Sequence, residues 1–204
     1  MRHDSTPATF RVPASPLARA GRAALLAAGA ALLAVWTAPA SAGDPVPFAA
    51  SNGVALSAAA AQAWAPDAFL VYLENDETIG PQGTAVRWGY LFYSPALDQA
   101  RVYSVRNNKI VVAENLDMKF DAPPLTAGWI DSGAAAAAAE RTAIHELRRE
   151  HDARLSTMLL VRGPMADGDP DATTWLLVYT SPGAPSLFVV VDATDGKVRR
   201  TWRG

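Results

Sequence analysis

The 204-residue chain contains no cysteine. Disulfides, thiolate nucleophiles and cysteine metal ligands are excluded, and so is lipid attachment to an N-terminal cysteine. Histidine is scarce: His3, His145 and His151 are the whole set. There is no Gly-x-x-x-x-Gly-Lys phosphate loop and no Gly-x-Ser-x-Gly nucleophile elbow. The apolar run Ala23 to Trp36 is 14 residues long. A membrane span needs roughly 20. Excess positive charge is also missing, with 18 basic against 20 acidic residues.

What the N-terminus does have is an ordered set of three regions. Arg2, Arg11, Arg19 and Arg22 stand against one acid, Asp4. The apolar run follows, and small residues close it, from Thr37 to Gly43. A basic region, an apolar region and an Ala-x-Ala site define a cleavable secretory signal. Residues 1–42 are read as that signal, with cleavage between Ala42 and Gly43; Ala38-Pro-Ala40 is the weaker site. No Arg-Arg pair precedes the apolar run, which points to the general secretory route. The expected product is periplasmic or secreted, with no stable membrane anchor. Removing residues 1–42 takes away four basic residues and one acidic, leaving 14 against 19 and a net charge of −5. That balance argues against nucleic acid as a partner. The one basic cluster, Lys197, Arg199, Arg200 and Arg203, reads as a solvated last strand.

Two stretches resemble each other. Trp88-Gly-Tyr-Leu-Phe-Tyr-Ser94-Pro95 and Trp175-Leu-Leu-Val-Tyr-Thr-Ser181-Pro182 both fit W-x-x-x-[FY]-x-S-P, 87 residues apart. Around them the pattern predicts a helix at 55–64 and strands at 68–74, 84–93, 100–106 and 109–114. Asn107-Asn108 supplies the last turn, being tolerant of positive φ. A second set follows: a helix over 133–152, capped by Asp131 or Ser132, then strands at 155–162, 173–181, 186–192 and 197–203. Asp195-Gly196 marks the final hairpin. The expected architecture is α+β, as two helix-plus-four-stranded antiparallel units. They occupy 43–114 and 131–204, with a linker at 115–130 around Pro123-Pro124. Trp88 and Trp175 are expected in the core of each unit, a role favoured over a ligand platform.

Residues 134–203 resemble a PepSY-type domain. The resemblance rests on the alanine-rich helix, on Trp175-Leu-Leu-Val-Tyr and on Leu187-Phe-Val-Val-Val-Asp192-Ala193-Thr194-Asp195-Gly196-Lys-Val198. Asp195 stands as an extra residue in the turn, and residues 55–114 lack the Asp-Ala-x-x-Gly turn. The resemblance implies a cystatin-like helix on an antiparallel sheet, an extracytoplasmic place and a non-enzymatic role. Such domains occur in propeptides of thermolysin-like metallopeptidases and in envelope proteins, where inhibition or modulation of a partner is proposed.

The search for chemistry is brief. Residues 145–149 read His-Glu-Leu-Arg-Arg, and Arg149 stands where a zincin needs its second histidine. His151 is six residues from His145, too far around a helix to share its metal. Asp167, Asp169 and Asp171 are the best cation candidates, since alternate carboxylates suit calcium. Ala172 and Val178 stand where an EF-hand loop needs glycine and a bidentate glutamate, so a solvated loop is the better reading. Glu74, Asp76 and Glu77 form a similar loop in the first half. No catalytic residue and no cofactor are expected. The expected function is binding of a protein partner, with modulation or inhibition of an envelope peptidase as one form. A carrier of a small apolar ligand is the alternative.

Overall fold

The computed structural model describes residues 44–116, 123–142, 144–163, 165, 169 and 171–204. The expected signal peptide, the Ala42–Gly43 cleavage site and Asp167 lie outside the described residues. A 3-10 turn, Ala50–Gly53, leads into α1, Val54–Trp64. Four strands follow: β1 (Phe69–Asn75), β2 (Arg87–Ser94), β3 (Gln99–Arg106) and β4 (Lys109–Leu116). Then come α2 (Ser132–Glu140), α3 (Ile144–His151), β5 (Arg154–Arg162), β6 (Thr173–Ser181), β7 (Ala184–Asp192) and β8 (Val198–Arg203).

The eight strands make one antiparallel sheet in the order β4-β3-β2-β1-β5-β6-β7-β8. This corrects the expectation of two separate helix-plus-four-stranded units. The first strand of each meander would be an exposed edge, and exposed edges invite wrong pairing. Here the two edges pair with each other, through Tyr72↔Val161, Leu73↔Leu160 and Glu74↔Leu159. Asn75 continues the seam with its side chain. Its Oδ1 accepts from Met158 N at 2.6 Å and its Nδ2 donates to Ser156 O at 3.3 Å. The core beneath the helices is likewise one cluster drawing on both halves.

The long helix expected over 133–152 is broken in two. The i−4 ladder is lost from Arg141, whose N–H goes to Ala138 O at 3.3 Å, and the Thr142 hydroxyl and N–H both turn to Ala139 O, at 2.6 and 3.0 Å. Such local bonds divert the backbone from its i−4 ladder. The expected linker is not a free tether where it is described. Leu116 ends β4, Leu125 N–H donates to Leu70 O at 3.0 Å, and the Thr126 hydroxyl donates to Thr173 Oγ1 at 2.8 Å.

The alanines of α1 and α2 let these helices lie close to the sheet. Ala61, Ala135, Ala136, Ala138 and Ala139 are buried in the central core. Gly53 serves the same closeness, since a Cβ there would overlap the Tyr90 ring. No helix of the described residues is long and apolar enough to cross a membrane.

Candidate binding surface

The helix-covered face of the sheet is fully occupied by its own packing. Trp88 and Trp175 are both 0 % exposed and meet edge to face at 6.3 Å. Each indole N–H is satisfied in the same way. Trp88 Nε1 donates to Phe48 O at 2.9 Å, and Trp175 Nε1 donates to Ile130 O at 2.8 Å. Both acceptors lie just before the first helix of their own half. The helix starts are also clamped together. Ser51 Oγ donates to Asp131 Oδ2 at 2.5 Å, Ala50 N donates to Ser132 Oγ at 3.0 Å, and Asp131 Oδ1 caps α2 through Ser132 N at 2.7 Å. Tyr90 Oη donates to Ala50 O at 2.7 Å. Burial, first of all, pushes the Tyr90 phenol far above its ordinary range.

The opposite face carries no helix among the described residues, and its two halves differ in chemistry. On the first half a buried apolar pair, Leu91 and Val102, stands beside a polar network. Glu74, 3 % exposed, accepts from Tyr72 Oη at 2.6 Å, and burial with the Glu74 charge drives the phenol upward. Ser104 Oγ donates to Asp76 Oδ2 at 2.7 Å. Arg87 Nε lies 2.8 Å from the same oxygen without good hydrogen-bond alignment, so charge holds that pair. Arg87 and Arg106 stand directly opposite each other. Glu77 Oε1 relieves that like-charge contact, at 3.1 Å from Arg106 and 3.5 Å from Arg87.

On the second half the same face is apolar. Leu176 and Val190 are buried at its centre, ringed by half-buried Leu159, Met165, Ala172, Val178, Phe188 and Trp202. No helix residue belongs to this cluster. Phe188 and Trp202 stack at 5.0 Å with a 7° interplanar angle, and Arg200 lies over the indole at 5.1 Å. The indole is thus already engaged by its own neighbours.

No family model matches the chain, and no curated protein matches it. A crystal structure of a Clostridium difficile 630 protein, described as a candidate lipoprotein, aligns with a TM-score of 0.51 and 13 % identity. The alignment covers 78 % of this chain and 93 % of that one. The two proteins share a fold, a small antiparallel-sheet domain.

The other residues marked in the sequence are placed as follows. Asp169 and Asp171 are exposed, and Asp169 Oδ1 accepts from Asp171 N at 2.9 Å in a local turn. The Asp171 carbonyl accepts from Arg162 Nε at 2.9 Å. Among the described residues no three His, Asp or Glu side chains are grouped to hold a metal. His151 is exposed at the end of α3. The Asp76–Glu77 stretch, read as a solvated loop, is an ion-paired cluster against β2 and β3. The apolar patch was missed, yet its signal is in the sequence. Trp175-Leu-Leu-Val-Tyr and Leu187-Phe-Val-Val-Val do not alternate, and such runs mark strands apolar on both faces.

Proposed function

We propose that this chain is an exported, non-enzymatic, PepSY-like module that binds a protein partner on the apolar half of its helix-free sheet face. An envelope peptidase, modulated by that contact, is the first partner class to test. One observation carries the reading: β6 and β7 are apolar on both faces, while the helices cover only one. Leu176 and Val190 are buried, so the surface a partner would meet is the half-buried rim of Leu159, Val178, Phe188 and Trp202; apolar clusters that reach the surface are a common mark of interaction sites. The tripartite N-terminus supports export. The aligned Clostridium difficile protein, described as a candidate lipoprotein, is in keeping with an envelope setting.

The serine–aspartate contacts of the described residues serve the fold. Ser51–Asp131, Ser94–Asp67 and Ser104–Asp76 each bind turns, caps or ion pairs, and no imidazole joins them among the described residues. The carrier alternative gains no such observation. It needs enclosed apolar space between helix and sheet, where alanines pack instead. The clefts of about 560 and 480 Å³ lie at the surface, beside Val46 and Asn108 and beside Arg154 and Pro182.

The test is affinity capture from envelope extract with the native protein and with Val178→Glu. Val178 is only half-buried, so its replacement leaves the main core untouched. The expected result is a stoichiometric protein partner held by the native chain and lost by the variant, with unchanged melting. Equal retention by both, or hydrolysis of a substrate by the purified protein, would contradict the proposal.

A further inference from the structure

Resting on the reading that this chain binds a protein, we propose that the outer edge of β8 takes an extended acidic segment of the partner as an added strand. β8 ends the sheet, and no strand of the described residues lies beyond it. Ser186 and Gly204 exchange both backbone hydrogen bonds, each 3.1 Å. Such pairs recur at every second residue of an antiparallel ladder. Trp202 and Arg200 therefore turn their N–H and C=O groups inward, toward Phe188 and Val190. Thr201 and Arg203 turn theirs outward, which leaves a donor and an acceptor on each for an incoming strand.

The side chains fix what that strand would carry. Arg200 and Trp202 share the helix-free face with Val190 and Phe188, and Thr201 and Arg203 take the other face. Arg203 is exposed and in no ion pair among the described residues, while Lys197 and Arg199 are tied to Asp192 and Asp195. Exposed Arg200 lies over Trp202. An antiparallel strand would thus place an acid opposite Arg203, an apolar residue opposite Trp202, any residue opposite Thr201 and an acid opposite Arg200. Opposite-charge and apolar cross-strand pairs are the favourable ones. The apolar residue would also extend the Phe188–Trp202 end of the patch. Residues 43–204 carry a net charge of −5, yet with Lys197 and Arg199 paired to Asp195 and Asp192 the end of β8 still holds Arg200 and Arg203 and no acid. This local reversal steers an acidic segment to the edge. Charged edges discourage wrong pairing, so the same arginines that repel a basic strand select an acidic one.

The experiment uses isotope-labelled protein isolated from its own cells. Two synthetic peptides are titrated into it: one of pattern Glu-Val-Thr-Glu, and one with lysine for each glutamate. The acidic peptide is expected to shift the Thr201 and Arg203 amide resonances and slow their solvent exchange, with smaller changes at Trp202 and Arg200. Its affinity falls about tenfold or more in an Arg200→Glu, Arg203→Glu double variant. It also falls in Thr201→Pro, which removes one outward donor and leaves the charges alone. Unmoved Thr201 and Arg203 resonances at millimolar peptide overturn the proposal. So does equal binding of the lysine peptide, or the same shifts appearing on self-association without peptide. If the peptide fails while Val178→Glu still abolishes partner capture, the edge proposal falls and the binding-module reading stands. If the peptide binds at the edge while capture ignores Val178→Glu, the face reading falls instead.

Discussion

The two halves use the same anchor and present different surfaces. In each, a tryptophan on a central strand reaches back to the carbonyl just before its own helix, and the two rings meet at the middle of the core. On the far side of the sheet the likeness ends. In the first half Glu74, Asp76, Ser104 and the paired arginines form a polar network beside buried Leu91 and Val102, and in the second Leu176, Val190, Phe188 and Trp202 make the face apolar. The shared features lie where packing requires them. The divergent features lie on the face that no described helix covers.

The tryptophans give the sharpest test of the likeness. Trp88→Ala and Trp175→Ala should each cost about 3–5 kcal/mol of stability, since each empties a fully buried site. The double variant should lose less than the sum, because the rings touch. Denaturant unfolding measures all three. A near-neutral result for either tryptophan would break the equivalence of the halves.

Asp131 tests the clamp between them. Asp131→Ala removes the α2 cap and the Ser51 contact together, and should cost about 1–2 kcal/mol. Ser51→Ala leaves the cap in place and should cost less. No loss for Ser51→Ala would mean that its hydroxyl contact across the halves adds nothing, and equal losses that the cap adds nothing.

The hairpin turns separate the halves by pH. The β3–β4 turn, Asn107-Asn108, has no carboxylate. In the β7–β8 turn, burial pushes the Asp192 carboxyl upward, but the Thr194 N–H and the Arg199 guanidinium outweigh it and hold it below its ordinary 3.8. A group with a depressed native pKa contributes stability above its unfolded value and loses it as pH falls through the native one. Below about pH 4, amide exchange should therefore quicken in the β7–β8 turn before the β3–β4 turn. Asp192→Asn should reduce that difference, and the Asp195 carboxyl, held low by its bonds to Lys197, should keep the remainder. Equal pH response in both turns would contradict the account.

These contrasts also show what the sequence could reveal. Strand positions were legible because short β-rich runs end at turn residues. Asn107 and Asn108 take φ of 49° and 56°, and Gly196 takes 70°, at the turns expected for them. The β1–β5 pairing was not legible. It joins Tyr72 to Val161, 89 residues on, and no local pattern encodes a seam of that kind. The helix break depended on where the Arg141 N–H and the Thr142 hydroxyl turned. The candidate surface was half legible. Unalternating runs at 175–179 and 187–191 signal two apolar faces, but only the topology shows that the helices cover one.

The most direct test of the central claim compares the two halves of the helix-free face in one assay. Val178→Glu charges the apolar half, and Val112→Glu charges the half that holds the polar network, at another half-buried valine. Affinity for the partner captured by the native protein should collapse for Val178→Glu and stay near native for Val112→Glu, with both variants folded. Equal loss in both, or loss only in Val112→Glu, would contradict the assignment of binding to the second half.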